Sequence, residues 1–319
     1  MATGKILNDE DYMRRALQLA RNGLLDAHPN PMVGAVIVAP DGRIIGEGWH
    51  RKCGQGHAEV NAVAMVRDEV EFLTATMYVT LEPCSHYGRT PPCAELIISK
   101  RIPRVVVGCL DPFEKVAGRG VKMLRDAGVD VKVGVLEQEC CDLNVRFITA
   151  HTLHRPYVIL KWAEGADGYI DGHISTPLTS VMVHKLRAEV DAILVGSGTA
   201  IADNPRLDVR RASGNDPVRV VLDRRGRVDA ESALFRDENV LLVTDTPRDF
   251  LPADRQITGC SSISEVLGQL YSRNIITLLV EGGAQVHRSF IDEGLWDEMR
   301  VEQGPFPVDG KVKTPVVKL

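Results

Sequence analysis

The apolar positions of this chain change period as they pass from one segment to the next. Met13, Leu17, Ala20 and Leu24 recur at helical spacing, and Asn8 or Asp9 can cap the helix they predict. His28-Pro29-Asn30-Pro31 breaks it, and Val33 to Val38 is apolar enough for a buried strand. Asp41-Gly42 signals a hairpin whose second strand is Ile44 to His50. A helix from His57 to about Arg67, a strand Met77–Leu81, a helix Cys93–Lys100 and a strand Arg104–Gly108 follow. Helix 118–127, stopped at Ala127-Gly128, and strand Val129–Val135 complete the alternation.

Strand–helix–strand alternation of this kind predicts an α/β fold with helices on both faces of a sheet. A polar helix around Cys140 to Thr152 then gives way to a break at Arg155-Pro156, which we take as a linker between domains at 1–150 and 155–319. A second alternation follows. It comprises strand Tyr157–Trp162, helix 179–188, strands Ala192–Val195, Val218–Leu222 and Val240–Val243, helix 262–273 and strand Ile276–Val280. From Gly304 to Leu319, Val, Pro and Lys alternate without a firm element, and we find no internal repeat.

Composition narrows the function classes. The chain has 319 residues, which suggests two domains, with 44% hydrophobic and 25% charged residues and a net charge of −5. An acidic balance argues against a nucleic-acid binder, which would present a basic face. No apolar run is long enough to span a bilayer, and Met1 to Lys5 lacks the apolar core of a signal peptide. Seven cysteines, an odd number, do not suggest a disulfide framework, so reduced thiols and a cytoplasmic location are expected.

The stretch with the most chemistry runs from His57-Ala58-Glu59 to Pro83-Cys84 and on to Cys93. One imidazole and two thiolates can supply three zinc ligands and leave a fourth position for water, whose pKa the metal lowers. Glu59 is placed to carry protons without binding the metal. A structural zinc site, with His86 as its fourth ligand, is the plainer alternative. His-x-Glu followed by Pro-Cys and a second Cys is the arrangement of zinc-dependent nucleobase deaminases. Eight residues separate Cys84 from Cys93, where that group has two.

With Asn30-Pro31-Met32-Val33-Gly34, Gly48-Trp49-His50, the run Thr80-Leu81-Glu82-Pro83-Cys84 to Pro92-Cys93 and Val116-Ala117-Gly118-Arg119-Gly120 in place, the first half resembles the deaminase domain of the bifunctional riboflavin-biosynthesis deaminase/reductase family. The resemblance implies a cytidine-deaminase-like three-layer α/β/α domain, one zinc ion on His57, Cys84 and Cys93, and Glu59 as proton shuttle. It further implies that Asn30, His50, His86 and Arg89 hold the aminopyrimidine and ribose phosphate. A carboxamide can donate to and accept from a pyrimidine edge, and a guanidinium suits phosphate.

In the second half, Ala192-Ile193-Leu194-Val195-Gly196-Ser197-Gly198-Thr199 and Val280-Glu281-Gly282-Gly283 are apolar strands running into glycines, with Ala202-Asp203-Asn204-Pro205 between them. Glycines at strand ends let a backbone approach phosphate, so a dinucleotide is plausible, although Gly-x-Gly-x-x-Gly is absent. These segments, with Lys161-Trp162-Ala163, Leu186-Arg187-Ala188 and Val221-Leu222-Asp223, resemble the same family's reductase domain, which is dihydrofolate-reductase-like and uses NADPH. By that resemblance Lys161 and Glu281 are catalytic. Arg187, Asp203, Leu207 and Arg210 bind the pyrimidine ribosyl phosphate. Lys161, Val195, Gly196, Ser197, Thr199, Asp223, Gly282 and Gly283 meet the cofactor. A homo-oligomer, dimer or tetramer, is expected. Gly165 departs from the serine common in the family, and the tail beyond Trp296 is short. A nucleoside or tRNA deaminase with a non-catalytic second domain, and a zinc-stabilised binding module, are the rival readings.

Overall fold

The computed structural model describes residues 7–87, 91–112, 118–172 and 174–316. The chain divides into two compact units, Met1–Thr152 and Leu153–Leu319.

The first unit opens with helix α1 (Asp9–Ala20), capped by Asn8, whose side chain accepts from Asp11 N while Asp11 accepts from Asn8 N. This reciprocal pairing satisfies two amides that a helix start leaves without partners. Leu24 falls beyond the helix, after a short 3-10 turn, and is exposed. Strands β1 (Gly34–Val38) and β2 (Ile44–Trp49) form the expected hairpin. Helix α2 (Ala58–Val63) is shorter than its sequence suggests, because Met65 N and Val66 N turn back three residues to Ala62 and Val63. Strand β3 (Thr76–Leu81), helix α3 (Cys93–Ser99), strand β4 (Arg104–Cys109), helix α4 (Arg119–Asp126) and strand β5 (Asp130–Val133) follow. The sheet order is β2-β1-β3-β4-β5, antiparallel about β1 and parallel from β3 to β5.

Alternate strand residues separate into two cores. Ala35, Ile37, Met77, Val79, Val105 and Val107 meet α2, α3 and α4, while Val36, Val38, Tyr78 and Val106 meet α1. The period-2 pattern thus sorts one sheet between two helical layers. The expected helix around Cys140 is two, α5 (Glu137–Leu143) and α6 (Val145–Leu153), parted at Asn144. Buried Asn144 accepts from Met32 N (2.8 Å) and donates to Met32 O (2.9 Å), fixing the segment that carries Asn30.

The second unit contains strand β6 (Tyr157–Glu164), helix α7 (Pro177–Ala188), strand β7 (Ala192–Gly196), helix α8 (Ser197–Asp203), and strands β8 (Val218–Leu222), β9 (Val240–Val243) and β10 (Gln256–Ile257). Helix α9 (Ile263–Tyr271), strand β11 (Thr277–Val280), helix α10 (Ala284–Asp292) and strand β12 (Glu298–Gln303) complete it. The order is β10-β9-β8-β7-β11-β6-β12, and every pairing among these strands is parallel. Buried apolar residues pack on both faces, as both-sided cover of a parallel sheet demands.

Four of these elements differ from the sequence expectation, β10 because two residues are too few to show a period. The glycine loop after Val195 is a helix, α8, because Ser197-Gly198-Thr199 continues into Ala200-Ile201-Ala202. Helix α10 escapes the apolar period because its buried positions are His287 and Phe290, one of them polar. Strand β12 is charged and half exposed along Glu298-Met299-Arg300-Val301-Glu302-Gln303, so no hydrophobic pattern marks it.

The tail beyond β12 is tied down. Asp167 accepts from Val308 N (3.0 Å) and Asp309 N (2.9 Å), Asp171 accepts from Lys311 N and Val312 N, and Thr314 Oγ1 donates to Glu164 (2.6 Å). Gly165 is part of this contact: a Cβ there would lie 2.9 Å from Val308 Cγ2.

Candidate functional site

Three sequence-distant positions bring their donor atoms together in the first unit. His57 is the N-cap of α2, Cys93 begins α3, and Cys84 follows β3. Helix α2 reaches its place because β2 carries glycine opposite it. A Cβ on Gly48 would stand 2.4 Å from Ala58 O and from Ala62 N. His57 Nδ1 lies 3.5 Å from Cys84 Sγ and 3.3 Å from Cys93 Sγ, and the three ligand atoms all fall within 4.8 Å of one another. Cys93 N donates to Cys84 Sγ at 3.2 Å, an amide that favours thiolate.

The electrostatics fit a cation. Cys84 is pulled down to about 4, first by the hydrogen bond from Cys93 and then by His57, against burial. Cys93 is pushed up by that same bond and by burial, so the two thiols share a proton that a bound cation would displace. Contact with Cys84 raises His57 to about 8 against burial. Glu59 is 3% exposed, and burial lifts its carboxyl to about 7, a value suited to exchanging protons near neutral pH. One imidazole and two thiols are a zinc donor set, with a buried carboxylate beside them to move protons, and these residues fit that metal.

Around them, His50 stands 5.4 Å from His57, ring to ring at 83°. Its Nδ1 donates to Gly56 O (3.2 Å), which leaves Nε2 to accept from Asn30 Nδ2 (3.1 Å), and burial holds its pKa below the ordinary histidine value. Asn30 thereby keeps one N–H and its carbonyl for a ligand. His86 is exposed. Arg89, Val116 and Ala117 lie outside the described residues. Sequence reasoning missed Glu82, buried with its carboxylate accepting from Gly118 N (2.9 Å) and Val121 N (3.1 Å) at the start of α4. Its position directly before Pro83-Cys84 was the available signal.

In the second unit a cleft of 590 Å³ brings together Lys161, Gly196, Thr199, Asp203, Glu281 and Gly283 at the carboxyl ends of β6, β7 and β11. Lys161 Nζ is 3.5 Å from Glu302, which also accepts from Ser175 Oγ (2.9 Å). Arg187 pairs with Glu281 through two bonds of 3.0 and 2.6 Å, and Arg210 pairs with Asp208. Gly282 sits so close to β7 that a Cβ would stand 2.6 Å from Val195 Cα. Gly198 meets nothing within 4 Å of the corresponding position. This open glycine edge beside Thr199 suits a phosphate-bearing dinucleotide.

Some expected residues sit elsewhere. Ser197 lines a neighbouring cleft, while Val195 and Leu207 are buried in the apolar core. Asp223 is 1% exposed, its Oδ2 accepting from Val228 N at 2.7 Å, so it braces a turn and does not face the cleft. Two residues were missed, one the partner of Lys161 and the other on the cleft lining. Glu302 belongs to the unpatterned β12, and His287 is 1% exposed with Nδ1 lacking a hydrogen-bond partner among the described residues. Burial depresses His287 to about 4, so its ring is neutral.

Comparison with known proteins agrees with both halves. Residues 7–109 match the cytidine and deoxycytidylate deaminase zinc-binding region, and residues 156–317 match the RibD C-terminal domain. The riboflavin biosynthesis protein RibD of Aquifex aeolicus is 39% identical, covering 93% of this chain and 87% of its own length. That of Actinobacillus pleuropneumoniae is 38% identical, covering 98% and 88%. Among solved structures, RibD of Acinetobacter baumannii superposes with a TM-score of 0.89 at 37% identity, covering 98% of this chain and 90% of its own. The diaminohydroxyphosphoribosylaminopyrimidine deaminase/5-amino-6-(5-phosphoribosylamino)uracil reductase of Thermotoga maritima gives 0.87 at 40%, covering 96% and 89%. Among the described residues, no helix is long and apolar enough to cross a membrane.

Proposed function

This chain belongs to the RibD family of bifunctional riboflavin-biosynthesis deaminase/reductases, and we propose that each of its units performs one of the two reactions. The first deaminates 2,5-diamino-6-(ribosylamino)-4(3H)-pyrimidinone 5'-phosphate. The second reduces the ribosyl group of the product, 5-amino-6-(5-phosphoribosylamino)uracil, to ribityl. The observation that carries the reading is the convergence of His57, Cys84 and Cys93 beside a buried Glu59.

His57, Cys84 and Cys93 would hold zinc, which supplies Lewis acidity when bound. Glu59 takes one proton from the attacking water and gives it to the ring nitrogen. It then takes the second from the resulting hydroxyl and gives it to the amino group, so that the carbonyl forms and ammonia leaves as the C–N bond breaks. Burial keeps its proton affinity near neutrality for both transfers. Asn30, oriented by His50, reads the pyrimidine edge, and His86 and Arg89 receive the ribose phosphate.

In the second unit NADPH supplies two electrons when bound at the glycine edge. Lys161, which stands 3.5 Å from Glu302, protonates the ribose ring oxygen as C1' is reduced. Asp203 takes ribose hydroxyls. Arg187, braced by Glu281, and Arg210, braced by Asp208, grip the 5'-phosphate. Neither rival reading accounts for the match of residues 156–317.

A cytoplasmic location and a homo-oligomeric assembly are proposed with this reading, the location supported by cysteines that are all unpaired. Light scattering of the purified protein tests the assembly. The function is tested by following ammonia release and NADPH oxidation together on the diaminopyrimidine substrate. Zinc-loaded protein that releases no ammonia would overturn the deaminase reading, and ammonia release without NADPH oxidation would overturn the reductase one.

A further inference from the structure

The turn after β8, Asp223-Arg224-Arg225-Gly226-Arg227, carries three guanidiniums that the two reactions leave unused. It closes through Gly226 N to Asp223 O at 3.1 Å, with Gly226 at φ +61°. All three arginines are exposed, and they line a cleft of 650 Å³ with Ser261 and Ser262. That cleft shares Gly196, Gly198, Gln285 and Val286 with the cleft holding Lys161 and Glu281. The two therefore meet at the carboxyl end of β7, where open parallel sheets receive their ligands.

The charge there is only partly compensated. Arg224 reaches Cys260 O and stands 3.9 Å from Asp245, and Arg227 donates to Ser197 Oγ at 2.6 Å. Arg225 has no partner for its guanidinium among the described residues. Glu293 is the acid on the lining, and nearby Glu265 is engaged by Ser261 N (2.6 Å) and Ser261 Oγ (3.0 Å). An acid facing the ligand from this strand end would bond the 2'-hydroxyl of a non-phosphorylated dinucleotide and repel a phosphate. The one acid placed to do so, Asp223, is turned inward onto Val228 N.

We propose that Arg225 and Arg227 grip the phosphate monoester at the adenosine 2'-position of NADPH, making the second unit select NADPH over NADH. The inference rests on the reductase reading and names its specificity determinants. A guanidinium fork matches phosphate oxygens in pairs, which suits a small dianion at the mouth of a longer cleft.

Calorimetric titration of the zinc-loaded full chain with NADPH, NADH, adenosine 2',5'-bisphosphate and AMP tests it. Two charge-assisted contacts predict that each 2'-phosphorylated ligand binds about 100-fold tighter than its counterpart. The double variant Arg225→Ala/Arg227→Ala loses roughly that factor for NADPH and the bisphosphate, while NADH and AMP bind as before. Arg225→Lys/Arg227→Lys retains part of the preference. Equal weakening of both dinucleotides, or a preference that survives the double alanine variant, overturns the proposal. Should the double variant fail to fold, Arg225→Ala decides alone, since that side chain has no partner to lose. Wild-type protein binding neither dinucleotide would sink the reductase reading itself. Protein binding both equally would sink only this inference.

Discussion

In the first unit, His57, Cys84 and Cys93 point their donor atoms at one another, and Cys84 and Cys93 contend for one proton. In the second, the charged groups come already partnered: Lys161 with Glu302, Arg187 with Glu281, Arg210 with Asp208. A donor cluster of the first kind is completed by a cation. A set of ion pairs of the second kind holds its geometry by itself and awaits a substrate that inserts between the partners. One site is therefore expected to depend on its metal for integrity, and the other to be formed in advance.

The sharpest break in that contrast is Cys84→Ser. Zinc content should fall from about one per chain to near zero, and ammonia release should vanish, while reduction of deaminated substrate persists. Retained zinc, measured by atomic emission, would show that the three donors are not its ligands. Glu59→Gln should keep zinc and lower deamination by about 10²–10⁴-fold, the usual range for a lost acid–base group. Loss of metal in this variant would place Glu59 among the ligands. Lys161→Ala should lower reduction by about 10²-fold and leave ammonia release intact. In Glu302→Gln the fall in the rate of reduction should be smaller, because Lys161 stays but loses the carboxylate that positions its ammonium. An unchanged rate in that variant would deny the pairing a role in catalysis.

The order in which these residues became legible follows the same contrast. A metal admits few ligand types, and helix starts must sit beside a strand end to present them. His57-x-Glu59 and Pro83-Cys84 therefore stand out in a single sequence. Lys161, Asp203 and Arg187 are residue types found on any surface, and only the family resemblance singled them out. Glu302 was hidden because β12 is half exposed and charged, and His287 because a polar residue occupies an apolar stripe. Asp223 was misplaced toward the cofactor: a strand-end acid can face a ligand or brace its own turn, and the sequence is the same in either case.

Two stability effects extend the comparison beyond the sites. Arg155 bonds Asp297 at 2.6 and 2.8 Å, both side chains mostly buried, so Arg155→Ala should destabilise the second unit by about 3 kcal/mol in denaturant titration. An unchanged midpoint would show that the amide of Val158, 2.8 Å from Asp297, suffices. The smallest effect is at Asp9, whose carboxyl is held well below the usual carboxylate range, chiefly by Arg104 and further by Lys132 and Tyr78. A depressed folded pKa contributes stability above the unfolded value and loses it as pH falls through the folded one. Acid should therefore weaken the first unit progressively below about pH 4, and Asp9→Asn should flatten that slope. An identical slope in the variant would assign acid sensitivity to other carboxylates.

The neighbours of β6 have a consequence for synthesis. This strand, with Val158, Ile159 and Leu160 fully buried, is the first of its sheet to leave the ribosome, yet it lies between β11 and β12. The clamp of Asp167 on Val308 N spans 141 residues of chain. The first unit's sheet is complete at Val133, whereas β6 waits with both edges open while the nascent chain grows by more than a hundred residues. At ordinary translation rates that interval is on the order of 10 s, during which an apolar ribbon without its partners is exposed to any strand it meets. The newborn chain thus carries a finished N-terminal half tethered to an unfinished one, and trigger-type chaperones that cover extended apolar segments would find their substrate at Tyr157–Glu164.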